Sequence, residues 1–405
     1  MKKILATQLE IFAKDLLHAM GVRPSDAEIL WDSMAYADLR GKTTHGVTRL
    51  PLYWKNIQAG TIDPQAQPVT VSDKGALAVL DACNGFGQIA AVHAVKLAVQ
   101  KAKAFGISAV GVRNSNNFGA AGYYGLLAAE QGVASLVMAN ASPALVAPGA
   151  SVPVLGTNPL CFAAPGVGAA DGANGGADCS PIVFDMASTV AARSKIRLAL
   201  KNQEAIPQDW AVDTAGNPTS NPKEALAGAL LPVGGAKGYG LALMVDYFAG
   251  LLTGSAFAGQ VKPLGNTEAP SRNGHFFIAV DVAAFYSEAE YQERYNELVG
   301  ALKASGEAVR LPGERPLGTA AGAQASCGAS GDVTENAEQE IVLSDAQYAE
   351  LMALKDELEG APEGALGGGQ RGASENVSHG SAEGSLEEDF ETALKTGSEL
   401  REQGI

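Results

Sequence analysis

Residues 85–90 read Gly85-Phe86-Gly87-Gln88-Ile89-Ala90 (GFGQIA), between a strand-like run, GALAVLDA (75–82), and a helix-like run, GQIAAVHAVKLAVQKAKAFG (87–106). The spacing is that of a dinucleotide-binding turn, G-x-G-x-x-A, and whether it is one decides the fold. Such a turn needs a carboxylate about 20 positions on, at the end of the second strand, to hold a ribose. Here the second strand, ISAVGVRNS (107–115), carries Arg113 near its end and no carboxylate. An arginine would suit a 2′-phosphate, yet a tight strand-to-helix turn needing positive φ explains the glycines equally well. On the pattern alone both readings stand.

Moving outward, the helix after the turn sets Ile89, Val92, Val95, Val99 and Ala102 on one face. AAGYYGLLAAEQG (120–132) reads as a helix and VASLVMANAS (133–142) as a strand. PIVFDMAS (181–188) and GHFFIAVDV (274–282) are further strands, with helices expected in TVAARSKIRLALKN (189–202) and after the glycines of GGAKGYGLALMVDYFAGLLTG (234–254). This alternation indicates mixed α/β structure around a buried sheet. Upstream, residues 6–40 read as helical, with Ser25 and Glu28 spaced as a capping box, and a helix resumes after His45–Gly46 with Pro51 early in it. LSDAQYAELMALKDELEG (343–360) is one more helix. The expected organisation is a helical unit over 1–70, completed by part of 300–360, and an α+β unit over 71–300. A Gly/Ala insertion interrupts the latter at 166–180, and 361–405 reads as a disordered acidic tail, too poor in large apolar residues to offset ordering entropy.

The net charge of −15 and pI near 4.8 argue against nucleic acid or anionic lipid as a partner. Four cysteines without a C-x-x-C pair give neither a disulfide framework nor a zinc site, and fit a reducing cytoplasm. MKKILATQLEIFAKDLL (1–17) reads as an amphipathic helix, not a signal peptide, and no run reaches the roughly 18 apolar residues of a membrane span.

Few residues can carry chemistry. GGAKGYG (234–240) fails the Walker A spacing, but glycines and Lys237 before a helix can cradle a phosphate or carboxamide; a turn with a solvated lysine is the alternative. His45 lies in GKTTHGVTRL (41–50), four residues before Arg49. Histidine can act as general acid near neutral pH, and arginine can hold a carboxylate through two parallel hydrogen bonds. A histidine that only finishes a turn is the competing reading. His18 and His93 lie on helices as packing or surface residues, His275 opens a strand, and His379 falls in the tail. No His, Cys, Asp or Glu grouping has metal-site spacing, and no Ser/His/Asp or Cys/His nucleophile arrangement stands out.

Together, DLRGKTTHGVTRL (38–50), NGFGQIAAVHAVKLAVQKA (84–102), VRNSNNFGAAGYY (112–124), GTNPLCFAAP (156–165), FDMAS (184–188), IPQDWAVDTAGNPTSNP (206–222) and GGAKGYGLALMVDYFAGLLTG (234–254) resemble one family. It is the malate/L-lactate dehydrogenase-like family of NAD(P)-dependent oxidoreductases, which also holds sulfolactate and ureidoglycolate dehydrogenases, diketogulonate reductase and cyclic ketimine reductases. The resemblance runs from about the N-terminus to PGERP (312–316). It implies an α+β, non-Rossmann NAD(P)-binding domain with a mixed or antiparallel sheet, beside a mainly helical domain, and a homodimer with its site near the subunit boundary. GFGQIA then becomes a structural turn.

Residue by residue, the resemblance makes His45 the proton donor to the substrate oxygen, with the Thr44 hydroxyl where a serine is usual, and Arg49 the substrate-carboxylate arginine. It makes cofactor contacts of Asn117, Phe118, Gly119, Ala120 and Ala121, of Thr157, of Asp185, Met186 and Ala187, of Lys237 and Gly238, and of Gly274 and His275. Two positions depart from the pattern. Asn117 replaces a histidine found in many members and cannot shuttle a proton, so the acid/base chemistry rests on His45, with Asn117 left to hydrogen-bond the substrate oxygen or the carboxamide. Lys195 stands where ketimine-reducing members carry an aspartate, which favours a hydroxy acid over an imine. The expected protein is a cytoplasmic NAD- or NADP-dependent dehydrogenase of a small 2-hydroxy acid of malate, lactate or sulfolactate type, binding no metal. The alternatives are a reductase of another keto or cyclic imino acid, a ureidoglycolate-type dehydrogenase, or an inactive relative that binds a ligand or partner.

Overall fold

The computed structural model describes residues 1–167, 180–314 and 339–360. The chain opens with strand β1 (Lys2–Leu5) and helices α1 (Ala6–Ala19), α2 (Pro24–Asp38) and α3 (Leu50–Gln58). Then come β2 (Val69–Lys74), β3 (Leu77–Asp81), α4 (Gly87–Phe105), β4 (Ile107–Ser115), α5 (Ala121–Glu130) and β5 (Val133–Ala139). The middle of the chain forms β6 (Leu160–Ala164), β7 (Ile182–Met186), α6 (Arg193–Asn202), β8 (Ala211–Val212), α7 (Pro222–Ala227), β9 (Ala229–Leu230) and α8 (Ala236–Val245). The last described elements are β10 (Asn273–Asp281), α9 (Glu288–Ala304), β11 (Glu340–Leu343) and α10 (Asp345–Glu359).

The main sheet has the order β2-β3-β4-β10-β5-β6-β7. Only β3 and β4 run parallel among the described residues, joined by α4 as a single βαβ unit. β10 arrives from far along the chain and inserts between β4 and β5, antiparallel to both. A doubly wound sheet needs a succession of parallel crossovers, so this is α+β, as expected, and not a Rossmann fold.

The glycines of GFGQIA serve close packing. A Cβ on Gly87 would lie 2.2 Å from the Asn116 carbonyl oxygen and 2.6 Å from that of Asn117. Carbonyls therefore occupy the start of α4, where a dinucleotide fold would seat its pyrophosphate. Arg113 is engaged too, its Nε donating to Asp81 Oδ2 at 2.9 Å.

One face of the sheet packs on α4 and α5 through Val92, Val95, Val110, Val112, Tyr124 and Phe277, all buried. The other meets α8 and a π-helical turn, Asp246–Leu251, through Val245, Ala249, Met138 and Phe276. A second core joins α1, α2, α3 and α10 with the paired strands β1 and β11, around Trp31, Tyr53, Leu17 and Leu354.

Two local expectations are corrected. The first residues form a strand before the helix because β11 supplies hydrogen-bonding partners for Lys2–Leu5. The Ser25–Glu28 capping box does not form: Pro24 already occupies the first helical turn with its φ fixed, and Ser25 falls inside the helix. The boxes that do form are Ser287 with Glu290, opening α9, and Ser344 with Gln347, opening α10. Most of the expected Gly/Ala insertion at 166–180, and all of the expected acidic tail, lie outside the described residues.

Candidate active site

α2 ends at Asp38, and the chain makes two successive 3-10 turns, Thr43–His45 and Val47–Arg49, hinged at Gly46. Buried Val47 and Leu50 anchor this segment in the helical core. Thr48 Oγ1 donates to the Thr43 carbonyl at 2.7 Å, and Arg49 Nε donates to the Thr44 carbonyl. The guanidinium is thus folded back over the turn that bears His45. Thr44 Oγ1 stands 3.0 Å from His45 Nδ1, which leaves Nε2 as the ring nitrogen able to meet a substrate.

Burial draws the His45 pKa down to about 4; the positive charges of Arg49 and Lys42 add to this and Asp185 opposes it. The resting imidazole is therefore neutral at pH 7, as a proton acceptor must be. An anion bound at Arg49 would cancel part of the opposing charge and let the ring take up a proton. Burial also lowers the Arg49 pKa, while Tyr53 opposes and Arg197 assists that shift; an arginine remains charged regardless. The buried Tyr53 hydroxyl accepts a hydrogen bond from Gln88 Nε2, so the GFGQIA segment supports the same region from beneath.

Asp185, near the end of β7, brings three separately expected segments together. Its Oδ2 accepts from Lys42 Nζ and, at 3.1 Å, from the Gly122 amide in the first turn of α5. A carboxylate there also faces the positive end of that helix. The loop before α5 is self-supporting: Asn117 Oδ1 accepts from the Gly119 amide at 3.1 Å, with Gly119 at φ +77°. Phe118 is buried between Tyr124 (centroids 4.9 Å apart) and His275 (4.6 Å), with Ala120 and Ala121 buried beside it.

A second group of expected residues forms a continuous hydrogen-bonded strip. The Ser188 amide, next to Ala187 and Met186, donates to the Thr157 carbonyl at 2.8 Å, and the Val233 amide donates to the Ser188 carbonyl at 2.9 Å. Gly238 packs so closely on Val233 that a Cβ would lie 2.2 Å from its carbonyl oxygen. Gly234 (φ +59°) and Gly235 (φ +62°) adopt a conformation that favours glycine, and nothing lies within 4 Å of a Cβ built on Gly235. Lys237 is exposed in the first turn of the ten-residue α8, with no ion-pair partner among the described residues. The positive end of a helix, an exposed lysine and open space at Gly235 form a set that fits a dinucleotide phosphate.

Gly274 and His275 stand apart from these groups. His275 is 0% exposed, its Nε2 lies 2.8 Å from Ser115 Oγ, and burial pulls its pKa to about 3. As placed, the ring supports Phe118 and presents no surface to a ligand. Gly274 is wedged against the Ala249 carbonyl. Lys195 is exposed on α6. No group of three or more His, Cys, Asp or Glu able to hold a metal occurs among the described residues.

Sequence reading passed over Lys42 and Asp38. The partner of Lys42 lies 143 residues away, which no local spacing reveals. Asp38, by contrast, is nine residues from the amide it binds, and its place at a helix end before the His45 segment was a usable signal.

An α+β sheet of non-Rossmann type, with a neutral histidine beside an arginine and an exposed glycine turn at a helix start, is an arrangement that suits a nicotinamide-dependent oxidoreductase. The malate/L-lactate dehydrogenase profile matches residues 4–328, and the chain belongs to that family. It is 36% identical over 300 residues to a malate/(S)-sulfolactate dehydrogenase of Methanothermus fervidus, covering 74% of this chain and 85% of that protein. Identity is also 36% over 318 residues to a (2R)-3-sulfolactate dehydrogenase (NADP(+)) of Chromohalobacter salexigens, covering 78% and 90%. A delta(1)-pyrroline-2-carboxylate/delta(1)-piperideine-2-carboxylate reductase of Pseudomonas putida is 35% identical over 312 residues, covering 76% and 88%. Among solved structures, the sulfolactate dehydrogenase of Methanocaldococcus jannaschii superposes with a TM-score of 0.76 at 32% identity, covering 88% of this chain and 98% of that one.

Proposed function

We propose that this protein is an NAD(P)-dependent dehydrogenase of a small 2-hydroxy acid carrying a second acidic group, of malate or sulfolactate type. The observation that carries the reading is the pair of successive turns in which Thr44 stands against His45 and Arg49 folds back beside it. A bound nicotinamide supplies or accepts the hydride at C2. Arg49 pairs with the C1 carboxylate, and His45 Nε2 takes the hydroxyl proton in oxidation and returns it in reduction. Asn117 donates a hydrogen bond to the substrate oxygen or the carboxamide, and cannot replace His45 as an acid. Lys237 and the 234–238 turn hold cofactor phosphate, with Thr157, Asp185–Ala187 and Asn117–Ala121 forming the rest of its bed.

The second acidic group is supported by charge. Arg193 and Arg197 share a face of α6 one turn apart, Arg197 is felt at Arg49, and Arg193 Nε is buried without a hydrogen-bond partner among the described residues. The reductase relative keeps a cyclic imino acid as the second reading, and the exposed Lys195 offers no acidic relay for it.

The reading extends to a cytoplasmic homodimer with a helical unit (1–70 with part of 300–360) beside a cofactor and substrate unit (71–300). The buried cluster joining α1–α3 with α10 supports the division. Leu243, Tyr247 and Leu251, exposed at every fourth residue, with exposed Phe162 and Phe184 paired across β6 and β7, supply apolar surface for a partner subunit. Among the described residues no helix is long and apolar enough to cross a membrane.

The test is a spectrophotometric panel of malate, sulfolactate, lactate and delta(1)-piperideine-2-carboxylate with both cofactors, repeated with His45→Ala. Turnover of the diacids that His45→Ala abolishes is expected; near-normal turnover by that variant would sink the assignment.

A further inference from the structure

Asp38 is an expensive residue to bury. It is 7% exposed, no cation pairs with it among the described residues, and burial raises its carboxyl pKa to about 7. Its Oδ2 accepts one hydrogen bond, from the Val47 amide at 2.8 Å, and its Oδ1 is buried without a partner among the described residues. An uncompensated carboxyl of this kind destabilises a fold, so something other than stability accounts for it.

Its neighbour is informative. A Cβ built on Gly46 would lie 1.9–2.2 Å from the atoms of the Asp38 carboxyl group. Gly46 has φ −90° and ψ −155°, so its backbone does not demand glycine; the space taken by Asp38 does. Gly46 and Val47 form the junction between the turn that carries His45 and the turn that carries Arg49. Asp38 itself ends α2, whose Leu30, Trp31 and Met34 are buried in the helical core. The carboxyl thus connects a rigid helix to the one joint whose rotation would separate the two functional side chains.

We propose that Asp38 is a positioning residue: it clamps the Gly46–Val47 junction so that His45 and Arg49, on the turns either side, address the same substrate molecule. The inference rests on the roles proposed for those two residues, and one arm of its test does not. The clamp acts on geometry, so its loss lowers kcat and raises substrate KM while cofactor affinity is spared.

The test uses the full chain and four variants: Asp38→Ala, Asp38→Asn, Gly46→Ala and the double variant Asp38→Ala/Gly46→Ala. With L-malate as substrate, Asp38→Ala and Gly46→Ala are each expected to lower kcat about 100-fold, the scale of an angstrom-sized misplacement. Asp38→Asn, whose amide oxygen can still accept from Val47, should recover activity to within about tenfold of the parent. The double variant should be no worse than Asp38→Ala, because the added methyl then meets no carboxyl. NADH affinity, followed by fluorescence, should stay within about twofold throughout. Hydrogen exchange over residues 43–50 should accelerate in Asp38→Ala with the rest of the chain unchanged, a readout that needs no substrate. Unchanged protection there, an Asp38→Ala kcat within about threefold of the parent, or fully additive losses in the double variant would overturn the clamp. If the parent turns over no acid at all, the functional reading fails and the exchange result alone decides the clamp.

Discussion

The Thr44 hydroxyl occupies the Nδ1 side of the His45 ring, at 3.0 Å, and so leaves Nε2 as the uncommitted ring nitrogen. Burial, with Arg49 next, holds that ring's pKa near 4, so the imidazole is neutral across the neutral range, as the base proposed for hydroxy acid oxidation must be. For hydroxy acid oxidation, kcat/KM should therefore stay level as pH falls from 8 and decline only toward pH 4. For reduction, which needs the protonated ring, kcat/KM should fall as pH rises through the same range. Paired pH profiles check this. An oxidation profile breaking at 6.5, the ordinary histidine value, would mean that His45 is solvated or is not the base.

Removing the hydroxyl is the milder lesion. Thr44→Ala keeps the imidazole and frees its orientation, so kcat should fall about tenfold with substrate KM little changed. Thr44→Ser should restore most of that loss. His45→Ala should cost on the order of 10²–10⁴ in kcat, the usual range for a general acid/base.

Arg49 makes a different prediction because the contribution proposed for it is binding. A carboxylate held by two parallel hydrogen bonds loses that geometry even to lysine. Arg49→Lys should raise substrate KM at least about tenfold and leave NADH affinity unchanged, as judged by steady-state kinetics beside fluorescence titration. A change confined to cofactor binding would place this arginine at the phosphates and refute its assignment.

The helices and the αβ alternation were legible because their periodicity is local: Ile89, Val92, Val95 and Ala102 lie on the buried side of α4 as their spacing required. The rejection of a Rossmann sheet was not legible in GFGQIA itself. What decides it is the packing of Gly87 on Asn116 and Asn117, 29 and 30 residues later, and the insertion of β10 between β4 and β5. The same limit applies to the site. Thr44, His45 and Arg49 are within one short segment and could be proposed together. Lys42 with Asp185, by contrast, becomes a pair only when β7 and α5 meet. β1 was hidden by the amphipathic run it opens, because a two-stranded pairing across 337 residues overrides the local preference for helix.

Lys237 tests the cofactor side alone. With no ion-pair partner among the described residues, its removal strands no buried counter-charge there, and the fold should tolerate it. Lys237→Gln should weaken NAD(P)H binding about tenfold, the scale of one charge-assisted hydrogen bond, and leave the thermal midpoint within a degree or two. The loss should shrink at high salt, because an exposed cation is screened. Equal affinities in variant and parent would remove the 234–238 turn from the cofactor site.

The final prediction concerns stability. Burial raises the Glu130 pKa to about 8, opposed by Arg40, and raises that of Asp32 to about 6, with Glu28 adding. Both folded-state values lie above those of the unfolded chain, so the native state holds protons that the unfolded state has released. Their contribution is fully present below the unfolded pKa near 4 and is lost as pH rises through about 6 for Asp32 and about 8 for Glu130. Thermal midpoints should therefore fall between about pH 4 and about pH 8, the window between the unfolded and folded values. Glu130→Gln should flatten that decline, because the amide stays neutral where the carboxylate would charge beside its unpartnered, buried Oε1. Burial pulls His275 the other way, to about 3, so its contribution appears only as pH climbs from about 3 to 6.5. The Asp38 carboxyl, raised by burial to about 7, has completed its own loss below that of Glu130, so a decline between about pH 7 and pH 8 that survives in Glu130→Gln would exclude Glu130 as its cause.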